Sequence, residues 1–144
     1  MQDAQSDRDG RLVIVSELQP GLVGEAHAVV QQADLASAIG SGRLDVYGTP
    51  AMLGLIELSA VNAVDPLLPD GSTTVGTRLD VRHLSPSPLG IAVRARAELI
   101  AVDGRRLTFN VEAYDAVDKI GEGTHERAVV DATRLLARAS AKTT

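Results

Sequence analysis

The longest apolar stretch of the chain is the fifteen-residue segment Pro50–Val64, in which Glu57 is the only charged residue. Thr49 precedes it as a suitable N-cap, and Pro50 takes the first helical position, where its missing N–H has no cost. Turn-forming residues at 65–71 end the segment. Because the stretch is apolar nearly all round, it predicts a long helix buried inside the protein rather than lying on its surface.

After this segment the spacing of hydrophobic positions changes from helical to a period of two, which is typical of strands. In the first such stretch the odd positions from Val75 to His83 share one face, and charged residues occupy the other, so we expect His83 to face the core. Asp103-Gly104 is a strong signal for a two-residue hairpin. The alternation predicts four strands, at Thr74–Leu84, Ile91–Val102, Arg106–Ala116 and Gly121–Val130.

Upstream of the apolar segment the pattern predicts shorter elements. Leu22–Gln32 indicates a strand, Ala33–Ile39 a short helical piece, and Arg11–Leu18 a weaker extra strand. The order of one strand, one long helix and four antiparallel strands predicts an α+β fold, with an antiparallel sheet wrapped around one buried helix. Since no linker or repeat is visible, we expect residues 11–144 to form one domain after a disordered polar segment, 1–10.

Composition narrows the classes of function. The net charge of −5 on this 144-residue chain argues against broad binding to nucleic acid, which needs a basic face, and two tyrosines and one phenylalanine argue against a base-stacking platform. The absence of cysteine excludes thiolate chemistry and cysteine zinc sites. His27 and His125 have no partner at ligand spacing, so we expect no metal site. The first ten residues contain no hydrophobic region of signal-peptide type, and no apolar run is long enough to cross a membrane, which predicts a cytoplasmic protein.

Glu57 is the best candidate for chemistry, because a carboxylate inside a buried helix is costly unless a partner satisfies it. Thr49 lies eight residues before it, about 12 Å away along the helix axis and roughly 80° around it. A strand that crosses the helix could bring His83 between the two. Histidine is the usual general base near neutral pH, a threonine hydroxyl can act as nucleophile or substrate anchor, and the helix start offers N–H groups to a developing oxyanion.

Each of these residues also has a structural explanation that the sequence leaves open. Thr49 could serve only to cap the helix. His83 could be a core histidine whose hydrogen bonds are satisfied. Glu57 could pair with an arginine across a subunit interface. Considered separately, none of the three residues is a strong signal.

Together, however, the residues from Tyr47 to Val130 resemble the fluoroacetyl-CoA thioesterase branch of the hotdog-fold thioesterases. The resemblance covers well over half of the chain, with its spacings intact. The segments that carry it are Thr49 followed by Gly54-Leu55-Ile56-Glu57, Gly76-Thr77 leading to His83, Glu98-Leu99, Gly104-Arg105-Arg106-Leu107, and Gly123-Thr124-His125-Glu126-Arg127-Ala128-Val129.

The resemblance implies a hotdog fold and a homodimer that binds acyl-CoA near the subunit interface. It implies that Thr49, Glu57 and His83 form the catalytic set. It also implies that Gly76 lies near the thioester carbonyl and that Arg127 binds substrate near the active site or the CoA. No cofactor is implied other than the coenzyme A that forms part of the substrate.

One segment departs from the family pattern. Fluoroacetyl-specific members have aromatic residues in a lid before the threonine, whereas Ala33–Leu44 contains none. We therefore expect hydrolysis of short- or medium-chain acyl-CoA thioesters to free acid and CoA. Two other activities stay open: a hotdog protein that binds acyl-CoA without cleaving it, and a hotdog hydratase or dehydratase acting on enoyl thioesters.

Overall fold

The computed structural model describes residues 4–6, 12–14 and 18–143. Over these ranges the chain forms short 3-10 turns at Gln32–Asp34, Asp65–Leu67 and Ala141–Thr143, together with strands and helices. The strands are β1 (Ala4–Ser6), β2 (Leu12–Ile14), β3 (Val23–Val29), β4 (Ser72–His83), β5 (Ala92–Asp103), β6 (Arg106–Asp115) and β7 (Lys119–Asp131). The helices are α1 (Ala36–Ile39), α2 (Thr49–Val64) and α3 (Ala132–Ser140).

Five strands form one antiparallel sheet in the order β3-β5-β6-β7-β4, and α2 lies across it. This arrangement confirms the predicted α+β class and the sheet wrapped around one long helix. The predicted hairpin at Asp103-Gly104 joins β5 to β6, with Gly104 in the left-handed region at a φ of 61°. The two short strands β1 and β2 pair only with each other among the described strands. The predicted disordered segment 1–10 lies for the most part outside the described residues and stays a prediction.

The helix α2 begins one residue earlier than predicted. Gly48, with an extended backbone (φ −74°, ψ 142°), is its N-cap, so the prediction that Thr49 caps the helix is wrong. Thr49 is the first helical residue, and Pro50 follows within the first turn, where an amide hydrogen would have no partner in the helix. The Thr49 hydroxyl is therefore free for a partner outside the helix.

Only one side of α2 is buried in the single chain. The sheet covers a face that includes Met52, Ile56, Ala60 and Val64, all fully buried. The opposite face is open, and Leu58 on it is 48% exposed. A single five-stranded sheet can cover only one side of the helix. The helix therefore has a second apolar face that the sheet does not bury.

The helix crosses β3 at Gly24. A Cβ atom at this position would lie 2.2 Å from the Ser59 carbonyl oxygen and 2.4 Å from the Ala63 nitrogen, both in the backbone of α2. No side chain can give way there, because the contacting atoms belong to a helix whose own hydrogen bonds fix them. The absence of a side chain at Gly24 therefore sets how closely α2 approaches the sheet.

Replacing Gly24 with alanine is expected to destabilise the protein by about 1–3 kcal/mol or more, because the helix must move away from the strand. Urea unfolding followed by circular dichroism measures the loss. The matched control is His27→Ala on the same strand, where the exposed side chain pairs with Glu25 and the change should stay within about 0.5 kcal/mol. An unchanged midpoint for Gly24→Ala would show that the close approach is not a constraint.

A β-bulge in β4 decides which residues of that strand face the helix. Gly76 pairs with Arg127 and Arg78 pairs with Glu126, so Thr77 is an extra residue without a counterpart. Because a bulge shifts the alternation by one, the inward face passes from even positions such as Gly76 to odd positions such as His83. The predicted inward placement of His83 is confirmed, whereas the prediction that Val75 and Thr77 share its face is wrong.

No helix in the described part of the chain is both long and apolar enough to cross a membrane.

Candidate active site

Thr49 and His83 form a direct hydrogen-bonded pair at the start of α2. The Thr49 Oγ1 and His83 Nδ1 atoms are 2.8 Å apart, although 34 residues separate them in sequence. The first turn of the helix supplies the threonine, and the last residue of β4 supplies the histidine. Two of the three predicted catalytic residues are therefore in contact within one chain.

The pair opens onto a cavity of about 350 Å³. Small or apolar side chains form most of the cavity wall, and His83 and Thr49 lie on one side of the cavity. The lining residues are Ala36, Ser41, Val46, Tyr47, Thr49, His83, Leu84, Ser85 and Pro86. The cavity can hold a small acyl group next to a hydroxyl and an imidazole.

The surroundings of His83 favour the neutral imidazole. Burial lowers the pKa of His83 below its usual value, and a backbone hydrogen bond with Ser85 offsets part of that effect. Its Nε2 atom is buried and has no hydrogen-bond partner within the described ranges, so Nδ1 is the nitrogen in contact with a reactive group. A neutral histidine that faces a hydroxyl can accept its proton.

Glu57 lies elsewhere on α2, with a different set of partners. Its Oε2 atom accepts a hydrogen bond of 3.2 Å from Nη1 of Arg127 and lies 4.0 Å from Nε2 of His125. The Glu57 side chain remains 39% exposed, whereas that of Arg127 is only 6% exposed. The arginine that pairs with Glu57 thus belongs to the same chain, and the carboxylate also reaches the open face of the helix.

Gly76 makes room for the Glu57 carboxylate. A Cβ at this position would lie within van der Waals overlap of Glu57 Oε2, at 2.3 Å, and 3.2 Å from Cε1 of His125. The bulge at Thr77 directly follows, so the strand is irregular where the carboxylate meets it. The predicted site residues Gly76, Glu57 and Arg127 are therefore neighbours.

The guanidinium of Arg127 is held by hydrogen bonds from three of its nitrogens. Its Nε donates to the Thr74 hydroxyl at 2.9 Å, its Nη2 donates to the Thr74 carbonyl at 2.9 Å, and its Nη1 contacts His125 Nε2 at 3.1 Å as well as Glu57. The Thr74 hydroxyl in turn donates to Asp65 Oδ1 at 2.7 Å. The role of Arg127 in binding substrate stays a prediction. Its guanidinium donates a hydrogen bond to Glu57, the candidate catalytic carboxylate.

One chain therefore does not bring the predicted trio together. Thr49 and His83 share one cavity, while Glu57 lies with Gly76 and Arg127, and no hydrogen bond described for residues 18–143 joins the two groups. The separation follows from the helix, since eight residues place Thr49 and Glu57 about 12 Å apart along its axis.

Three further residues support Glu57 through Arg127. His125 and Thr74 contact the arginine and Asp65 contacts Thr74, yet none of the three was predicted as a site residue, although His125 lies in the segment that carries the resemblance. In the part of the chain that the structure describes, no three side chains of His, Cys, Asp or Glu come together as a metal site. The available signal was the alternation in β7, which places His125 and Arg127 on the same inward face.

Comparison with known proteins adds an independent line of support. The family model described as fluoroacetyl-CoA-specific thioesterase (FlK) matches residues 30–133. A fluoroacetyl-CoA thioesterase of Streptantibioticus cattleyicolor is 43% identical over 99 residues, which make up 69% of this chain and 71% of that protein.

Solved structures agree with this match. The structure of an FlK mutant in complex with acetyl-CoA superposes with a TM-score of 0.83 at 34% identity, covering 88% of this chain and 99% of that one. A hot-dog-like protein from Thermanaerovibrio acidaminovorans gives a TM-score of 0.79 at 26% identity, covering 90% and 96% of the two chains. These similarities confirm the predicted hotdog fold and the predicted class of enzyme, a thioesterase. The chain belongs to the fluoroacetyl-CoA-specific thioesterase family.

Proposed function

We propose that this protein is a homodimeric thioesterase that hydrolyses short- or medium-chain acyl-CoA to the free acid and CoA. The observation that carries the proposal is the 2.8 Å contact between Thr49 and His83 at the wall of a cavity of acyl size. Membership in the thioesterase family and the complex of FlK with acetyl-CoA support the choice of substrate class. CoA thioesters are made and consumed inside cells, which supports a cytoplasmic location. No cofactor is needed other than the CoA of the substrate.

In the proposed reaction the acyl group enters the cavity with its carbonyl carbon beside Thr49. Either the threonine hydroxyl or a water molecule held by it attacks this carbon, and His83 takes the proton. Amide groups at the start of α2 face the developing oxyanion. The C–S bond then breaks, and the CoA thiolate leaves with the proton from His83. If the threonine attacks first, water hydrolyses the acyl-threonine in a second step.

Glu57 has the role of activating the water, and we place it opposite the Thr49–His83 pair of the second protomer. Its carboxylate is partly exposed on the face of α2 that the sheet leaves open. An isologous dimer about a twofold axis near Gly54 would bring Glu57 of one helix opposite the start of its antiparallel copy. Gly54 suits this position, because nothing in the described part of the chain, other than the helix around it, lies within 4 Å of a Cβ placed there.

The exposed apolar surface supports a dimer of this kind. Leu58 is 48% exposed on the open face of α2, and Leu79 is 36% exposed on β4, the outer strand of the sheet. An edge strand and an apolar helix face that lie side by side are surfaces a second copy can bury. Size-exclusion chromatography with light scattering tests the assembly, and a monomer at working concentration would contradict it.

The value of kcat/KM is expected to fall on the acid side only below pH 6.5, which is the ordinary pKa of histidine. Burial lowers the pKa of His83, so the imidazole stays neutral down to a more acidic pH than a free histidine. As the pH falls through that lowered value, His83 gains a proton, can no longer accept one from the attacking group, and activity is lost. Loss of thioester absorbance, measured from acid to neutral pH, gives the profile. If activity fell already above the ordinary pKa of histidine while the protein was still folded, His83 would be excluded as the base.

A panel of acyl-CoA substrates tests the proposed function. Thiol release is measured with acetyl-, propionyl-, butyryl-, hexanoyl- and fluoroacetyl-CoA, next to binding of the same compounds by calorimetry. The proposal expects turnover of several short acyl groups without a strong preference for the fluorinated one, because no aromatic side chain lies between Ala33 and Leu44. Tight binding without thiol release would instead support a non-catalytic acyl-CoA-binding protein. Hydration of an enoyl-CoA, seen as loss of absorbance without thiol release, would support a hydratase.

A further inference from the structure

The side chain of His125 has hydrogen-bond partners that determine its protonation state. The Arg78 carbonyl lies 2.8 Å from Nδ1 and can only accept, so Nδ1 carries the proton and donates it. Arg127 Nη1 lies 3.1 Å from Nε2 and can only donate, so Nε2 carries the lone pair. These two contacts together fix a neutral imidazole in a single tautomer.

Other features of the site require the same neutral state. His125 is fully buried, its ring stacks on Phe109 with centroids 6.1 Å apart, and the guanidinium of Arg127 touches it. A second positive charge next to that arginine would be repelled, and burial also disfavours it. Accordingly the pKa of His125 is lowered, mainly by burial, with Arg127 adding to the effect and the Arg78 carbonyl, Glu57 and Glu126 opposing it.

His125 therefore holds Arg127 from one side while Thr74 holds it from the other. The two Thr74 contacts fix Nε and Nη2, and the histidine nitrogen fixes Nη1. With its plane set in this way, the guanidinium directs Nη1 at Glu57 Oε2. The hydrogen bond and the closest ion-pair contacts described for Glu57 all use Oε2, which leaves Oε1 available to a water molecule.

We propose that His125 is a positioning residue for catalysis, which acts through Arg127 to hold Oε2 of Glu57 and leave Oε1 facing the reacting water. This inference rests on the proposed function, since it assumes that Glu57 activates water. It also assigns Arg127 to the catalytic carboxylate rather than to the CoA phosphates, because the three nitrogens of its guanidinium are already engaged by Thr74, His125 and Glu57 and the side chain is only 6% exposed. A displaced carboxylate would cost rate more than binding, because His125 is fully buried and out of reach of a substrate.

The test compares His125→Phe with His125→Gln. Phenylalanine keeps the stacking on Phe109 but removes both hydrogen bonds, and kcat for the best acyl-CoA is expected to fall at least about tenfold with KM changed less than about threefold. Glutamine can place a carbonyl oxygen toward Arg127 and an amide toward the Arg78 carbonyl, so it is expected to recover most of kcat. Circular dichroism reports whether each variant is folded.

A double variant separates positioning from simple loss of structure. In Glu57→Gln, whose catalytic carboxylate is already gone, adding His125→Phe is expected to lower kcat by less than about twofold. A full additional tenfold loss in that background would overturn the proposal, and so would a wild-type kcat in folded His125→Phe alone. Failure of the proposed function is a different result, namely no thiol release from any acyl-CoA by the wild-type protein.

Discussion

Replacing Glu57 with glutamine is expected to lower kcat for the best acyl-CoA at least about a hundredfold, with the fold unchanged. Glutamine has the same shape and can still accept the hydrogen bond from Arg127, so the local contacts survive. Its neutral amide carries no negative charge with which to polarise the attacking water, which is the role assigned to the carboxylate. Thiol release at saturating substrate measures kcat, and thermal unfolding checks the fold.

The matched control is Glu98→Gln. Glu98 lies on β5, pairs with Arg96 on the outer face of the sheet, and carries the same charge far from the cavity. Its variant is expected to keep the wild-type kcat. If Glu57→Gln also turned over substrate at the wild-type rate, the carboxylate would have no part in the chemistry, and the uncommon charge in the apolar helix would be structural only.

Replacing His83 with alanine is expected to lower kcat by a similar factor, at least about a hundredfold, because the attacking group loses its base. Thr49→Val, which keeps the shape of the side chain but removes the hydroxyl, is expected to lower kcat as well. If the two residues act as one unit, the double variant should be little worse than His83→Ala alone. Steady-state kinetics on the four proteins completes the cycle.

Arg82→Ala is the control for this pair, since Arg82 precedes His83 on the same strand and points to the exposed side. It is expected to retain wild-type turnover. Losses that simply multiply in the double variant would show that Thr49 and His83 act independently, and the 2.8 Å contact would then be incidental.

The elements of the fold could be predicted because each follows from a local pattern. The period-two alternation after residue 72 placed four strands, and the hairpin at Asp103-Gly104 follows from its turn chemistry. The bulge at Thr77 could not be predicted in this way, because an extra residue in one strand is visible only against its partner. Yet this bulge turns Gly76 and His83 toward the same side of the sheet.

The candidate site could be predicted only in part. Glu57 was found from its charge in an apolar helix, and the pairing of Thr49 with His83 was anticipated from the packing of a strand on that helix. The resemblance implied that Arg127 lies near the active site, but its contacts with Glu57 and His125 were not predicted, since nothing in the sequence pattern says which side chains meet beside Gly76. Nor does the pattern along one chain reveal that α2 keeps Glu57 away from the other two residues.

The most direct test of the account uses mixed dimers of Glu57→Gln and His83→Ala. With the site shared between protomers, a mixed dimer regains one intact site, combining Glu57 of the His83→Ala protomer with Thr49 and His83 of the other. The two variants are coexpressed with different affinity tags, and the mixed dimer is purified through both. We expect the mixed dimer to release thiol at about half of the wild-type rate, whereas each parent homodimer is nearly inactive. A mixed dimer no more active than its parents, although assembled and folded, would contradict the shared site.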